Sequence, residues 1–150
     1  MQLTVVTPLG SKVNAQVASV TVPGELGELG VLPGHRPLIT GLAIGMVTYV
    51  EGGKTKHLAT TEGFMEVHDD EVVVVTQSAE EPDEIDAARA KKSLDAVEVL
   101  VKTLDPHHDP VGWKQAQDKR ARAMNRLAVA RFATPEALRI QQERAKAGTN

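Results

Sequence analysis

The densest run of glycine in the chain is PGELGELGVLPGHRPL, from Pro23 to Leu38, which sets Gly24, Gly27, Gly30 and Gly34 beside His35 and Arg36. Glycine-rich loops cradle phosphates when a Lys-Ser/Thr pair follows the last glycine and a helix opens there, so that backbone N–H groups and the lysine surround the anion. Here Pro37 follows, no lysine or hydroxyl is in place, and Glu25 and Glu28 inside the loop would repel a phosphate. Turn formation is the better use of these glycines. His107 and His108, between Asp105 and Asp109, carry ligand-type atoms, but adjacent histidines do not converge on one ion without further ligands, and the plainer reading is a solvated loop. His35, His57 and His68 are scattered and form no Ser-His-Asp arrangement. The carboxylates of EEPDE are most simply charges that offset the dipole of a helix beginning there. No catalytic residue and no metal site is assigned.

A cluster of cations is more informative: Lys119, Arg120, Arg122, Arg126 and Arg131 are not balanced locally, and Arg122 and Arg126, four apart, share a helix face. They suit a solvated face, an acidic protein partner or an anionic ligand. Nucleic acid is disfavoured, because no stacking aromatics interleave with the arginines.

The chain that must position these groups has 150 residues, enough for one domain or a small domain with an appendage. Aromatics are few (Trp113, Tyr49, Phe64 and Phe132), so the core must be aliphatic. Residues 1–82 carry four Lys/Arg against ten Asp/Glu, a net of −6, whereas residues 83–150 have a net of +3, which suggests two surfaces with different partners. The absence of cysteine excludes disulfides and thiolate chemistry. The start, MQLTVVTPLG, lacks the basic segment and apolar run of a signal peptide, and no stretch is apolar enough to span a bilayer, so membrane association is expected only through a partner.

The first eighty residues read as short strands: LTVVT, VASVTV, MVTYV and EVVVVT are rich in β-branched residues and are separated by turn signals at Pro8–Gly10, Gly52-Gly53 and Asp69-Asp70. Met46–Glu51 and Lys54–Leu58 are expected to pair as a hairpin around the two glycines. Pro82 and its acidic neighbours mark a boundary. Beyond it Leu94, Val97, Val101 and Leu104 make an apolar helical stripe. Asp109-Pro110 caps a second helix, about 110–132, whose inner face is Ala116, Ala123, Leu127 and Ala130; Thr134-Pro135 opens a third helical segment. The expected fold is α+β: an N-terminal antiparallel β-sandwich (1–82), a C-terminal antiparallel two-helix hairpin (83–132) and a helical or frayed tail (133–150). Alanine-rich faces bury little area, so the hairpin should be held weakly and able to come apart.

GELGELGVLPGHRPLITGLAIGMV strongly resembles the signature region of the epsilon subunit of F-type ATP synthases. EGFMEVHDDEVVVVTQSAE resembles the family's G-G-F-x-E-V segment, with Glu62 in place of the first glycine, and EIDAARAKKSL resembles the start of its C-terminal helices. The resemblance covers about residues 1–132. It implies a non-catalytic rotor subunit of a proton-translocating complex, with the sandwich bound to the gamma subunit and seated on the c-ring. The helices would lie folded, or extend toward the alpha and beta subunits of the catalytic head and inhibit ATP hydrolysis. The implied location is peripheral, on the cytoplasmic face of a bacterial inner membrane.

By the same resemblance, Glu28 and His35 occupy rotor-contact positions, and Arg120, Arg122 and Arg126 would serve the inhibitory helix. An ATP-binding pattern of some bacterial members is matched by Ile85, Asp86, Arg89 and Ala90, by Arg122 and Arg126 on the second helix, and by Glu80 five residues before Ile85. A basic position seven after Arg89 is Ala96 here, one cation fewer. ATP would then be a regulatory ligand that favours the folded hairpin, not a required cofactor. Two other readings are a stand-alone ATP sensor, which needs no gamma partner, and a β-domain enzyme built on His35.

Overall fold

The computed structural model describes residues 1–148; the last two residues of the expected tail, 149–150, lie outside the described residues. The chain divides into two compact units, Met1–Glu80 and a helical unit from Glu81 onward.

The first unit contains ten strands: β1 Gln2–Thr7, β2 Gly10–Gln16, β3 Ser19–Gly24, β4 Gly27–Val31, β5 Leu38–Leu42, β6 Gly45–Glu51, β7 Lys54–Thr60, β8 Gly63–His68, β9 Glu71–Thr76 and β10 Ala79–Glu80. Side chains alternate along five of the strands, so every second residue enters the core: Leu3 and Val5 in β1, Val20 and Val22 in β3, Val47 and Tyr49 in β6, Met65 and Val67 in β8, Val72 and Val74 in β9. These residues form one cluster, so the strands wrap around a single aliphatic core. Their order is β10-β7-β6-β3-β5-β8-β9-β1-β2, with β4 on β3. The two faces meet at β3, where Ser19–Thr21 pair with β6 but Gly24 pairs with Leu42 of β5. One pair is parallel: β1 runs alongside β9 from Gln2↔Glu71 to Val6↔Val75.

All three expected turns form, at 8–9, 52–53 and 69–70. Gly52 and Gly53 adopt φ of 56° and 77° between β6 and β7, the left-handed pair of a type I′ turn. Asp69 and Asp70 adopt the same region between β8 and β9. Burial at His57, whose Nδ1 lies 3.0 Å from the Thr48 hydroxyl, lowers the histidine pKa below its ordinary value. Gly63 is required for a different reason. A Cβ built there would lie 1.9 Å from the Val75 carbonyl oxygen and 3.0 Å from Thr76 Cα, all backbone that cannot swing aside. Gly63→Ala is therefore expected to cost about 3 kcal/mol, the upper part of the range for overpacking, read as a lowered urea midpoint at unchanged slope.

The helical unit begins with a 3₁₀ turn, Pro82–Glu84, followed by α1 Ala87–Thr103, α2 Pro110–Ala130 and α3 Pro135–Ala147. Each helix is capped at its first turn. Asp86 Oδ1 accepts from Arg89 N at 2.9 Å, Asp109 Oδ1 from Gly112 N at 2.8 Å, and Thr134 Oγ1 from Ala137 N at 3.3 Å. α1 buries Ala90 and Val97, and α2 buries Ala116, Ala123, Val129 and Ala130. Leu94, Val101, Leu104 and Leu127 are half-buried. The fully buried positions of the hairpin are thus small residues and single valines, with leucines half-covered around them. α2 stops two residues before the expected Phe132. Pro135 disfavours a helical conformation at Thr134, and the chain leaves the helix through a turn in which Phe132 N bonds to Val129 O and Ala133 N to Ala130 O.

Candidate functional site

Two groups of residues were singled out by the sequence, one in each unit. In the sandwich, Gly24 and Gly27 face each other across the two-residue turn that joins β3 to β4, and Glu28 follows on β4, exposed. Among the described residues β4 pairs with β3 and with no other strand, so its outer side is a free edge. Leu32 to His35 forms a further turn: His35 N donates to Leu32 O at 3.1 Å, Pro33 sits at the second position and Gly34 at the third with φ 79°. That is a type II turn, which needs a glycine there. The Gly34 N–H donates to Asp70 Oδ1 at 2.6 Å. A glycine amide does hold an anion in this loop, and the anion is a carboxylate of the β8–β9 turn.

His35 is half-buried, less open than Glu28, and its Nδ1 lies 2.7 Å from the Arg36 carbonyl oxygen. The structure adds a feature that the motif did not announce. Ile39 and Phe64 stand out from β5 and β8 into solvent, 71% and 47% exposed, and the register Ile39↔Glu66 and Gly41↔Phe64 makes them diagonal neighbours on one face. Leu26, at the tip of the β3–β4 turn, and Leu32 are exposed as well. The signal was present in the period-two alternation of LITGL, which buries Leu42 and turns Ile39 outward.

In the helical unit, Ile85 is fully buried, Asp86 caps α1, Ala90 is buried and Arg89 is exposed. Ile85, Asp86, Arg89 and Lys92 form one wall of a groove of about 620 Å³, and Gln141 and Arg144 of α3 form another. The carboxylates along it are engaged within the unit. Asp83 accepts from Thr134, Asp86 from the Arg89 amide and Asp95 from Lys91. Its four cations, Arg89, Lys91, Lys92 and Arg144, meet four carboxylates, Asp83, Glu84, Asp86 and Asp95, so the lining is balanced in charge.

Arg122 and Arg126 are half-buried on α2 with their Nε atoms beneath the surface, and they are not among the residues that line this groove. Arg120 Nε lies 3.6 Å from Glu98 Oε1 and makes an ion pair between the two helices. Glu80 belongs to the sandwich, where it pairs with Ala59 of β7.

The link between α1 and α2 is ordered by Asp105, which accepts from the His107 amide at 2.8 Å and from His108 Nδ1. Those two hydrogen bonds, the backbone one foremost, hold the Asp105 pKa below the usual carboxylate value. Among the described residues no group of three His, Asp or Glu is placed to hold a metal ion, and no helix is long and apolar enough to cross a membrane.

Comparison with known proteins gives a consistent result. Residues 1–82 match the family described as ATP synthase, Delta/Epsilon chain, beta-sandwich domain. The ATP synthase epsilon chain of Geobacter metallireducens is 41% identical over 130 residues, covering 87% of this chain and 93% of that protein, and that of Geobacter sulfurreducens is 39% identical over the same length. A chain of the Euglena gracilis mitochondrial ATP synthase, from a cryo-EM structure of OSCP/F1/c-ring in rotational state 1, superposes with a TM-score of 0.71. It is 26% identical, with 82% of this chain and 76% of that chain covered. A chain of the central stalk/c-ring of the Tetrahymena thermophila mitochondrial ATP synthase shares the fold, with a TM-score of 0.63 at 16% identity.

Proposed function

This chain belongs to the epsilon-chain family of ATP synthases, as an accessory stalk subunit and not the catalytic one, and from that premise we propose how its two units divide the work. The sandwich is the rotor-binding part: it links the gamma subunit to the c-ring of a proton-translocating enzyme, on the cytoplasmic face of a bacterial inner membrane. Its rigid core suits torque transmission, and the free edge of β4 with Glu28, the turn at His35, and the outward Leu26, Ile39 and Phe64 supply a surface for partners.

The helical unit is the regulatory part, which inhibits ATP hydrolysis when it extends toward the alpha and beta subunits. The observation that carries this reading is the composition of its interface: Ala90 and Val97 on α1, Ala116 and Ala123 on α2, and the cross-helix ion pair Arg120–Glu98. Such a pairing is held by little apolar area and is poised between two states. In the extended state Arg120 exchanges Glu98 for an acidic segment of the head, and Arg122 and Arg126 join it. The groove at Ile85, Asp86 and Arg89 favours ATP as a ligand of the folded state. It also supports the second reading, a stand-alone ATP-binding module, which differs in requiring no gamma partner.

Affinity capture from membranes of the native organism separates the two. Gamma and c subunits are expected to be recovered with the tagged chain. Ile39→Asp is expected to lower that recovery about tenfold, as loss of an apolar anchor does at interfaces, while shifting the stability of the isolated chain by no more than about 0.5 kcal/mol. Capture of the chain without gamma would remove the rotor reading.

A further inference from the structure

α3 neither extends α2 nor hangs free. After the turn at Phe132–Ala133 it folds back on the segment where the helical unit begins. The Thr134 N–H donates to Asp83 Oδ1 at 2.7 Å and its hydroxyl donates to Asp83 Oδ2 at 2.9 Å, so one carboxylate receives both donors of one residue. Seven residues on, Gln141 Nε2 donates to the carbonyl oxygen of Ile85 at 2.6 Å. Ile85 is fully buried, and its carbonyl precedes the first carbonyl that α1 uses, the bond from Ala90 N to Asp86 O. Gln141 therefore satisfies a polar atom that the helix itself leaves over. Thr134 and Gln141 stand two helical turns apart, on one face, with Ala137 half-buried between them.

These bonds have a position as well as a geometry. α1 and α2 are joined at one end by the link through Asp105, and at the other end lie the start of α1 and the finish of α2. Asp83–Thr134 and Ile85–Gln141 cross that second end. We infer that α3 is a latch that closes the open end of the hairpin, so that α1 and α2 part only after Thr134 and Gln141 release Asp83 and Ile85. The inference rests on the reading of the hairpin as a two-state element and adds what holds it shut. The latch is polar and exposed at Asp83, which makes it releasable, and it anchors on a buried carbonyl at Ile85, which makes its register specific.

The test is amide hydrogen exchange on the full-length chain carrying Asp83→Ala with Gln141→Ala. Amides at the open end, Ala90 in α1 and Leu127 to Ala130 in α2, are expected to exchange about tenfold faster than in the parent, with a smaller rise toward Thr103 and Trp113 at the linked end. Asp83→Asn keeps one acceptor oxygen and is expected to fall between the two, which guards against a general loss of folding. No change in exchange, or an equal rise along the whole of both helices, overturns the latch. Hydrolysis by the assembled complex reports separately on the regulatory role. It is expected to drop with the latch broken, and an unchanged rate beside faster open-end exchange would leave the latch standing and remove inhibition by the helices.

Discussion

Assembled complexes carrying this chain cut after Glu81 are expected to hydrolyse ATP several-fold faster than complexes with the intact chain. The cut is placed by the structure. Ala79 and Glu80 form β10 and pair with Thr60 and Ala59 of β7, and Ala79 is the last residue of the sandwich core cluster. Ile85 is fully buried among the residues that open the helical unit, so a cut beyond it would leave an apolar side chain stranded on a new terminus. Ending at Glu81 removes all but the first residue of the helical unit and keeps every core residue from Leu3 to Ala79. The size of the effect follows from occupancy. If the helices hold nine complexes in ten in the inhibited state, their loss raises the rate about tenfold, which corresponds to a bias of about 1.4 kcal/mol. A bias of that order is compatible with an interface whose fully buried residues are alanines and valines, with the Arg120–Glu98 ion pair across it. Recovery of gamma and c subunits should be unchanged, since the sandwich is intact. An unchanged hydrolysis rate with full assembly would sink the inhibitory role.

Much of the architecture was legible because the residues that build it have short-range causes. Gly52-Gly53 and Asp69-Asp70 announce their hairpins by the backbone angles they tolerate, and Asp109-Pro110 and Thr134-Pro135 announce helix starts by capping chemistry. The parallel pairing of β1 with β9 was not legible. Its partners are some seventy residues apart, and nothing in LTVVT or EVVVVT distinguishes a parallel neighbour from an antiparallel one. The placement of α3 was hidden for another reason. Helix docking is usually read from apolar periodicity, whereas the docking face of α3 is Thr134, Ala137 and Gln141, a polar and small-residue face. Its large apolar residues, Leu138 and Ile140, are exposed instead. The candidate ligand site shows the same limit. Ile85, Asp86 and Arg89 fall together because they are near in sequence. The structure joins Lys92, Gln141 and Arg144 to them in one groove, whose lining does not include Arg122 or Arg126.

That rearrangement sharpens the second large effect, protection of the helices by ATP. Millimolar ATP is expected to slow amide exchange in α1 and α2, and Arg89→Ala combined with Arg126→Ala is expected to abolish the protection. Ligand at a hundredfold above its Kd stabilises the binding state by about 2.7 kcal/mol, near a hundredfold in exchange, whereas ligand at its Kd contributes about 0.4 kcal/mol, roughly twofold. The cations decide where in that range the chain falls. The ATP-binding pattern that the sequence resembles would put a further basic residue at Ala96, whereas the groove carries Lys92 from α1 and Arg144 from α3 with Asp83, Glu84 and Asp86 beside them. Since Arg89 lines that groove and Arg126 does not, the single variants locate the phosphates. Loss of protection in Arg89→Ala with protection kept in Arg126→Ala places them between α1 and α3. The reverse places them on α2. In either case the protection should fall with added salt, because exposed guanidinium and ammonium groups are screened over about 10 Å at 0.1 M ionic strength. Exchange that ignores millimolar ATP in the parent chain would remove nucleotide sensing from the function of this subunit, and the helices would then answer to their latch and to the head alone.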